Sequence, residues 1–382
     1  MGGVPQGRRE FLLVGLNPGL VGLALARLLR QEILDRIIGE FGIKVDLTEG
    51  VEVPGLGEGS RVFRVRYPVG DGVYLVDTEA GKLIACHPHI VGEELAELSL
   101  EAALDAARVI LELTPLGEVD WGEVVFEHVL RAAPGYRLHE ALRKVSGRGF
   151  REVWVRPRYM TPSYRDHDEE AVKRIVVVYE DFSQLPEGVE LTVLKPDTEA
   201  SGRTGEVALE RIARAAEEKG SKLGNLIVYG FISEPGLRVI EEKARKLGFK
   251  HTYYFAIGDL TALCSNLYDM PLYGPDESYY TERGGIKLLG GVVDHLTLER
   301  YLLDFIPGAD QPGDWSARQT RVFTGTGYEP GGIEKHLRNS MGLIRRLWEL
   351  SRGQPWFMEF HEEAIRRELE ALEAKLSEYG SE

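Results

Sequence analysis

The chain has 382 residues, of which 43% are hydrophobic, and its formal net charge at pH 7 is −15. This size and apolar content suffice for a large core and favour two domains, or one enlarged domain with extensions. The negative charge and the lack of a Lys/Arg-rich block argue against a general nucleic-acid-binding protein. The two cysteines, Cys86 and Cys264, form neither a disulfide framework nor a zinc pattern, which favours a reducing, cytoplasmic setting.

The first residues contain an apolar run that needs interpretation. Arg8 and Arg9 precede residues 11–28 in the outline of a signal peptide. Asn17, Pro18 and several glycines interrupt the run, so it is a poor membrane span. We favour an amphipathic helix that has Pro18 near its start and ends at about residue 40. No membrane partner is therefore expected.

Residues 45–88 alternate between polar and apolar side chains, with Gly-rich turns between the alternating segments. This pattern predicts a small antiparallel strand-rich unit. It ends at His87-Pro88-His89, where two potential metal ligands stand close together. No third ligand is evident in the sequence, so exposed or capped histidines are the simpler interpretation.

From residue 92 onwards, strand and helix patterns alternate. Helices are predicted at 92–113, from about 137, at 206–219 and at 233–247. Strands are predicted at 123–130, from 154, and at 174–181, 191–194, 225–232 and 251–259. Such alternation is typical of an α/β fold with a doubly wound, mostly parallel sheet. We expect three parts: residues 1–95, the α/β domain at 96–286, and a mainly helical extension at 287–382 that contains helices at 333–350 and 358–379.

One stretch, residues 191–204, reads as a strand, an acidic turn and a small-residue loop that leads into a helix. Backbone N–H groups in such a loop and at the helix start can bind an anion. A plain capped turn is the alternative. Its loop side chains are small, hydroxylated or cationic: Ala200, Ser201, Gly202, Arg203 and Thr204. Asp197 and Glu199 would repel a bare phosphate, so sugar hydroxyls or a divalent cation would suit them better.

A second strand–loop–helix unit carries Arg131 and small residues in its loop, followed by Tyr136. Ligands of parallel sheets bind at the carboxyl ends of the strands. We therefore expect this loop and the loop at 197–204 to converge on one ligand.

Taken together, residues 98–277 resemble type I phosphoribosyltransferases, most closely the uracil phosphoribosyltransferases. Leu130-Arg-Ala-Ala-Pro-Gly135 is similar to that family's Leu-Arg-Ala-Gly-Leu-Gly pyrophosphate loop. Tyr164-Arg-Asp-His-Asp-Glu169 is similar to its Tyr-Arg-Asp-Glu-Glu arm. Residues 196–204 resemble its phosphate loop, Asp-Pro-Met-Leu-Ala-Thr-Gly-Gly-Ser, and residues 233–237 its Ala-Pro-Glu-Gly-Leu segment. A weaker match joins Asp259 and residues 271–274 to its base-binding hood.

The chain departs from the family pattern at several positions. Pro196-Asp197 reverses the family's Asp-Pro order, Glu199 replaces a hydrophobic residue, and Arg203 replaces a glycine. The Gly-Asp-Ala-Gly-Asp end of the hood is not reproduced, and the residues beyond about Lys287 are additional. Sugar-phosphate binding is therefore better supported than uracil recognition.

The resemblance implies phosphoribosyl pyrophosphate as ligand, with Arg131 and Asp197 as the catalytic residues. Its 5′-phosphate would bind the loop from Ala200 to Thr204, and its ribose would bind Asp197 and Glu199. The pyrophosphate would bind, together with Mg2+, the loop residues Arg131, Ala132, Ala133 and Gly135. The arm residues Tyr164, Arg165 and Asp166 would close over the site. The base would be read by the hood residues Asp259, Pro271, Tyr273, Gly274 and Asp276.

The implied activity is transfer of ribose 5-phosphate to a nucleobase, with a pyrimidine such as uracil favoured, and release of pyrophosphate. The family also implies a cytoplasmic homo-oligomer, a dimer, that has no nucleic-acid partner. Two alternatives stay open. One is a non-catalytic regulatory protein that binds phosphoribosyl pyrophosphate or a nucleotide on the same fold. The other is an unrelated α/β enzyme with coincidental motifs.

Overall fold

The computed structural model describes residues 31–160, 174–264, 266–274 and 289–379. The strands are β1 Thr48–Val51, β2 Arg61–Val65, β3 Gly72–Asp77, β4 Val124–Val129, β5 Arg151–Tyr159, β6 Ile175–Asp181, β7 Glu190–Pro196, β8 Lys222–Ser233, β9 His251–Leu263, β10 Leu289–Val292, β11 Arg321–Phe323 and β12 Tyr328–Pro330. The helices with fully described bounds are α1 Glu79–Cys86, α2 Gly92–Leu113, α3 Leu138–Ser146, α4 Arg203–Glu218, α5 Glu234–Leu247, α6 His295–Tyr301, α7 Ile333–Ser351 and α8 Glu359–Tyr379. Residues 31–41 are also helical.

Within these described ranges, ten strands form one sheet in the order β1-β2-β3-β9-β8-β7-β4-β5-β6, with β10 paired to β9. Neighbouring strands from β3 through β5 in this order run parallel. Antiparallel pairing is confined to β1-β2-β3, β6 and β10. The protein is therefore a mixed α/β structure with a large, mostly parallel sheet, as the alternating pattern predicts.

Helices cover both faces of the sheet. Successive side chains of a strand point to opposite faces, so each central strand contributes residues to two cores. Phe126, Leu194 and Ile227 belong to a core that also contains buried residues of α2 and α3. Their neighbours Val125 and Val193 belong to a second core, which contains buried residues of α4 and α5. This two-sided burial explains why the central strands read as continuous apolar runs in the sequence.

The N-terminal strands differ from the expected separate unit. β1, β2 and β3 are antiparallel as predicted, but β3 pairs with β9 and so extends the main sheet. A helix, α1, also replaces the end of the predicted strand region. Thr78 caps it by accepting a hydrogen bond from the Gly81 N–H at 2.9 Å. The alternation of polar and apolar residues did not reveal this helix. The available signal was Thr78, because threonine favours the N-cap position.

The C-terminal extension also contains more structure than expected, namely β10, α6 and the β11–β12 hairpin. Helices α7 and α8 share a hydrophobic cluster that includes Val91, Ile333 and Leu372. A fully buried arginine, Arg318, joins the extension to the region after α1. Its guanidinium donates hydrogen bonds of 2.9–3.2 Å to the carbonyls of residues 84, 87, 90 and 312.

Two earlier expectations concern the chain start and membranes. Of the predicted N-terminal helix, the part from residue 31 is helical to residue 41, and the rest lies outside the described residues. Within the described ranges, every helix is too short or too polar to cross a bilayer.

A candidate anion-binding cleft at the carboxyl ends of strands 4 and 7

Two loops meet because their preceding strands, β4 and β7, are parallel neighbours in the sheet. They border a cleft of about 570 Å³. Its lining includes, from these two loops, Leu130, Arg131, Ala132, Asp197, Thr198, Ala200, Ser201, Gly202 and Thr204. The expected convergence of the two loops is therefore present in the geometry. Other parts of the lining come from β5 and from segments 267–268, 312–316 and Glu329.

We call the loop after β7, residues 197–202, the first loop, and the loop after β4, residues 130–135, the second loop. The first loop ends at the start of α4. Gly202 precedes this helix with φ of 73° in the left-handed region, and no side chain caps the helix start. The first N–H groups of a helix need partners, and their dipole favours an anion. A Cβ on Gly202 would lie 2.9 Å from the Gly236 carbonyl oxygen, so a larger residue would displace the loop. The loop therefore presents an uncapped, positively polarised helix start to the cleft.

This loop is hydrogen-bonded to the end of β8 and the start of α5. The Glu199 N–H donates to the Phe231 carbonyl at 2.9 Å, and the Ser233 N–H donates to the Glu199 carbonyl at 2.9 Å. The Ser233 hydroxyl donates to the Ala200 carbonyl and accepts from the Gly236 N–H. The segment at 233–237 therefore positions the loop at 197–202 and is absent from the cleft lining.

The cleft lining also includes three arginines, one from the loop after β4 and two from β5: Arg131, Arg156 and Arg158. The Arg131 side chain is about one-third exposed, and its Nη1 lies 3.9 Å from Glu329 Oε2; the peptide bond before Arg131 is cis. Burial, followed by repulsion from Arg131, lowers the pKa of Arg156. Arg156 also donates to the Thr324 carbonyl at 3.2 Å. These cationic side chains suit a polyanionic ligand.

A buried ionic cluster lies beneath the first loop. The fully buried Lys195 Nζ donates to Asp197 Oδ2 at 3.0 Å and also to Glu199 Oε1. The Thr198 N–H donates to Asp197 Oδ1 at 2.8 Å. Burial would lower the pKa of Lys195, but attraction by Asp197 and Glu199 outweighs it and raises that pKa. Lys195 therefore fixes the orientation of the carboxylate of Asp197.

Glu127 completes this cluster from β4 and is fully buried. Burial raises its pKa to about 8, although attraction by Lys195 opposes the shift. Burial also raises the pKa values of Asp197 and Glu199, again with Lys195 opposing. Four ionisable groups thus share one buried region, in which Lys195 pairs directly with Asp197 and Glu199 and attracts Glu127 from a greater distance.

The structure brings together some, but not all, of the predicted site residues. Asp197 lines the cleft, whereas Glu199 is 1% exposed, pairs with Lys195 beneath the loop and is not part of the lining. The proposed ribose contact of Glu199 is therefore wrong. Arg203 is exposed and outside the lining, because as the first residue of α4 it points away from the cleft.

In the second loop, Ala132 lines the cleft and Ala133 is buried. Gly135 packs on the Gln319 side chain, where a Cβ would come within 2.6 Å of Nε2. Ala133 and Gly135 therefore shape the loop from behind instead of facing a ligand. The arm residues Tyr164, Arg165 and Asp166 lie outside the described residues.

The predicted base hood lies elsewhere. Asp259, Pro271, Tyr273 and Gly274 line a separate cavity of about 20 Å³, and Asp276 lies outside the described residues. Burial raises the pKa of Asp259 to about 7, and its Oδ2 accepts from Gln311 Nε2 at 3.1 Å. These residues lie away from the cleft because β9 continues to Leu263, so Asp259 is a buried strand residue and not a strand end.

Two other segments line the cleft: residues 267–268 and 312–316. The Trp315 ring stacks on Tyr136 with a centroid distance of 4.5 Å and an interplanar angle of 17°. The Tyr136 and Thr198 hydroxyls are 2.5 Å apart, which links this aromatic pair to the first loop. Sequence reasoning missed Trp315, since it lies in the extension, and missed Arg156 and Arg158. The alternate spacing of these two arginines on β5 was the available signal.

A scan against protein-family models finds no match, and a search of curated proteins finds no relative. The geometry of the cleft therefore carries the functional assignment. It combines an uncapped helix start, three arginines and a fixed carboxylate, and these together suit a sugar phosphate that bears a second anionic group.

Proposed function

We propose that this protein binds phosphoribosyl pyrophosphate in the cleft and transfers its ribose 5-phosphate to a nucleobase. One observation carries the proposal: two loops with complementary anion-binding character follow adjacent parallel strands and border one cleft, with Asp197 between them. This arrangement supports binding of a ligand with an anion at each end and hydroxyl groups in the middle. The resemblance to type I phosphoribosyltransferases supports the same ligand.

The 5′-phosphate is assigned to residues 200–204. The N–H groups at the start of α4 and the hydroxyls of Ser201 and Thr204 supply donors, and the positive end of the helix adds attraction. Arg203 has no part in this assignment, because its side chain is exposed outside the cleft. Its replacement of a family glycine is therefore compatible with phosphate binding.

The pyrophosphate is assigned to Arg131, Arg156 and Arg158, which face it as donors of charge-assisted hydrogen bonds. Mg2+ fits at this end, since phosphate oxygens are its preferred ligands and Glu329 is an exposed carboxylate 3.9 Å from Arg131. When bound, Mg2+ would neutralise charge that develops on the leaving group.

The ribose is assigned to Asp197. Two of its acceptor positions are occupied by Lys195 and by the Thr198 N–H. An ionised carboxylate has about four such positions, so two are left for the 2′- and 3′-hydroxyls. Lys195 favours the ionised form of the carboxylate and orients it, which would fix the sugar relative to both anion sites.

In the reaction, a base nitrogen forms a bond to C1′ of the ribose while the C1′–oxygen bond to pyrophosphate breaks. The electron pair leaves with pyrophosphate, and the base loses its N–H proton to solvent. Positive charge develops on the sugar ring, so the protein acts by positioning both reactants and stabilising the departing charge. Of the three aromatic residues in the cleft lining, Tyr159, Tyr268 and Trp315, we assign Tyr268 and Trp315 to contact with the base.

One feature of the cleft favours the alternative, a non-catalytic sensor of phosphoribosyl pyrophosphate. Residues 312–316 of the C-terminal extension line the cleft, and the described residues of the predicted hood do not. A sensor would keep the two anion sites and use this segment to respond to the ligand. Uracil preference and a homodimer stay predictions of the family resemblance.

Calorimetry with phosphoribosyl pyrophosphate, with and without Mg2+, tests binding. The proposal expects tight binding that weakens without Mg2+, and much weaker binding of ribose 5-phosphate, which lacks the pyrophosphate. Release of pyrophosphate is then measured with uracil, orotate and purine bases. Turnover with one base supports the transferase. Binding without turnover supports the sensor, and no heat at millimolar ligand contradicts both.

A further inference from the structure

A second polar cluster lies away from the cleft, where the segment after α1 meets α8. His87 Nδ1 is 2.9 Å from Glu368 Oε2, and His89 Nδ1 is 2.8 Å from Glu368 Oε1. The Glu368 side chain is 3% exposed, while the two histidines are each about one-fifth exposed. Three potential ligand atoms, one from each residue, all lie within 4.8 Å of one another.

These residue types form a donor set that zinc prefers. Zinc binds imidazole nitrogen at about 2.0–2.1 Å, which places neighbouring ligand atoms of a tetrahedron about 3.3 Å apart. The observed separations between each histidine Nδ1 and its nearest Glu368 oxygen are 2.8–2.9 Å. They need to widen by only roughly 0.5 Å to admit an ion. Within the described ranges, this is the one group of three histidine, cysteine or acidic side chains that converges in this way.

The Glu368 carboxylate needs partners because it is nearly fully buried. A buried carboxylate is costly unless it is paired or hydrogen-bonded. It accepts from the His89 N–H at 3.0 Å and lies within hydrogen-bonding distance of both imidazole Nδ1 atoms. Donation by two Nδ1–H groups to the carboxylate is the competing explanation for the cluster.

We propose that His87 Nδ1, His89 Nδ1 and the Glu368 carboxylate bind a divalent transition-metal ion of the zinc type. The partial exposure of both histidines leaves a path for the ion and room for water at a fourth position. The sequence showed only the His-Pro-His pair, because the third ligand lies 279 positions later.

The position of the site indicates a structural role. The His87 carbonyl accepts from Arg318, which also binds the carbonyl of Pro312 at the start of the cleft segment 312–316. A metal ion here joins α8 to the same residues that anchor Arg318. Metal binding is therefore expected to stabilise the C-terminal extension without contact with the proposed substrate cleft.

The test uses the full chain, freed of metal by a chelator and then titrated with Zn2+ in the presence of a competing colorimetric chelator. The wild type is expected to bind one equivalent at least tenfold more tightly than Glu368→Gln or the double variant His87→Ala/His89→Ala. Zn2+ should raise the thermal midpoint of the wild type but not that of Glu368→Gln. His251→Ala is the matched control, since His251 is an exposed histidine paired with Asp71 at 3.0 Å, and it should bind Zn2+ as the wild type does.

Circular dichroism establishes that each variant is folded before titration. If Glu368→Gln does not fold, Glu368→Asp replaces it, because a shorter carboxylate keeps the charge but retracts the ligand. Equal affinity in the wild type and the ligand variants would overturn the proposal. So would a wild type that binds no Zn2+, an outcome that would leave the cluster as two histidines hydrogen-bonded to Glu368.

Discussion

Replacing Lys195 by methionine is expected to be one of the most damaging single changes in the protein. Lys195 is fully buried and pairs with both Asp197 and Glu199, so its loss leaves buried carboxylates without their cation. Removal of one partner from a buried ion pair costs about 3–5 kcal/mol of folding free energy. With two direct partners, the upper part of that range is expected for Lys195→Met at pH 8.

The size of this loss should depend on pH, because protonation can neutralise the orphaned carboxylates. Burial holds the folded-state pKa of Glu127 at about 8, above the ordinary value of 4.5, and raises those of Asp197 and Glu199. A carboxyl group with a raised folded-state pKa contributes its full stability below the unfolded pKa and loses it as pH rises through the folded pKa. Without Lys195 these pKa values rise further, so the destabilisation should shrink at pH 5.

Urea unfolding followed by tryptophan fluorescence measures this difference at pH 5 and pH 8. Comparing variant with wild type at each pH cancels the titration of groups elsewhere. Adding Glu199→Gln to Lys195→Met should restore part of the stability, since it removes one buried charge. Lys250→Met, at an exposed pair with Glu190, is the control and should cost at most about 1 kcal/mol. A loss below about 1 kcal/mol for Lys195→Met, or equal losses at both pH values, would refute the reasoning.

Three further predictions concern the cleft. Arg131→Ala should weaken binding of phosphoribosyl pyrophosphate at least tenfold by calorimetry, whereas Arg203→Ala should change it less than twofold; equal effects would reject the assigned pyrophosphate site. Gly202→Ala should cost about 1–2 kcal/mol in urea unfolding and weaken phosphate binding, because φ is 73° and the new Cβ meets the Gly236 carbonyl. Trp315→Phe, which keeps a ring packed on Tyr136, should raise the KM for the base severalfold while the affinity for phosphoribosyl pyrophosphate is kept, and unchanged base kinetics would exclude Trp315 from base binding.

Much of the central fold is predictable because its signals are local. Apolar periodicity gave the bounds of α2 as observed, and alternation of strands with helices predicted a mostly parallel sheet. The pair of loops after β4 and β7 was also predictable, since the ends of parallel strands share an edge. Whether β4 and β7 are neighbours in the sheet depends on the tertiary structure, so the sequence alone does not show it.

The misplaced residues show where local signals stop. Lys195, Asp197 and Glu199 recur at every second position, so an extended chain places them on one side. That spacing could have revealed an ion cluster, but the charge of Glu199 was interpreted as ligand-binding. The predicted hood assumed that β9 ends at Asp259. Four more strand residues, about 13 Å of chain, carry the following loop away from the expected place.

The hydrogen bonds of Arg318 bear on which residues of the C-terminal extension can vary. All the acceptors that its guanidinium uses are main-chain carbonyls, and these are present whatever side chains occupy the same positions. The bond from Arg318 to Pro312 therefore does not depend on the side chain at position 312. Trp315, in contrast, is buried and stacks on Tyr136, so exchanging it would also disturb the packing against the first loop. Changes that leave the segment in place are therefore expected at partly exposed positions such as Ser316 and not at Trp315.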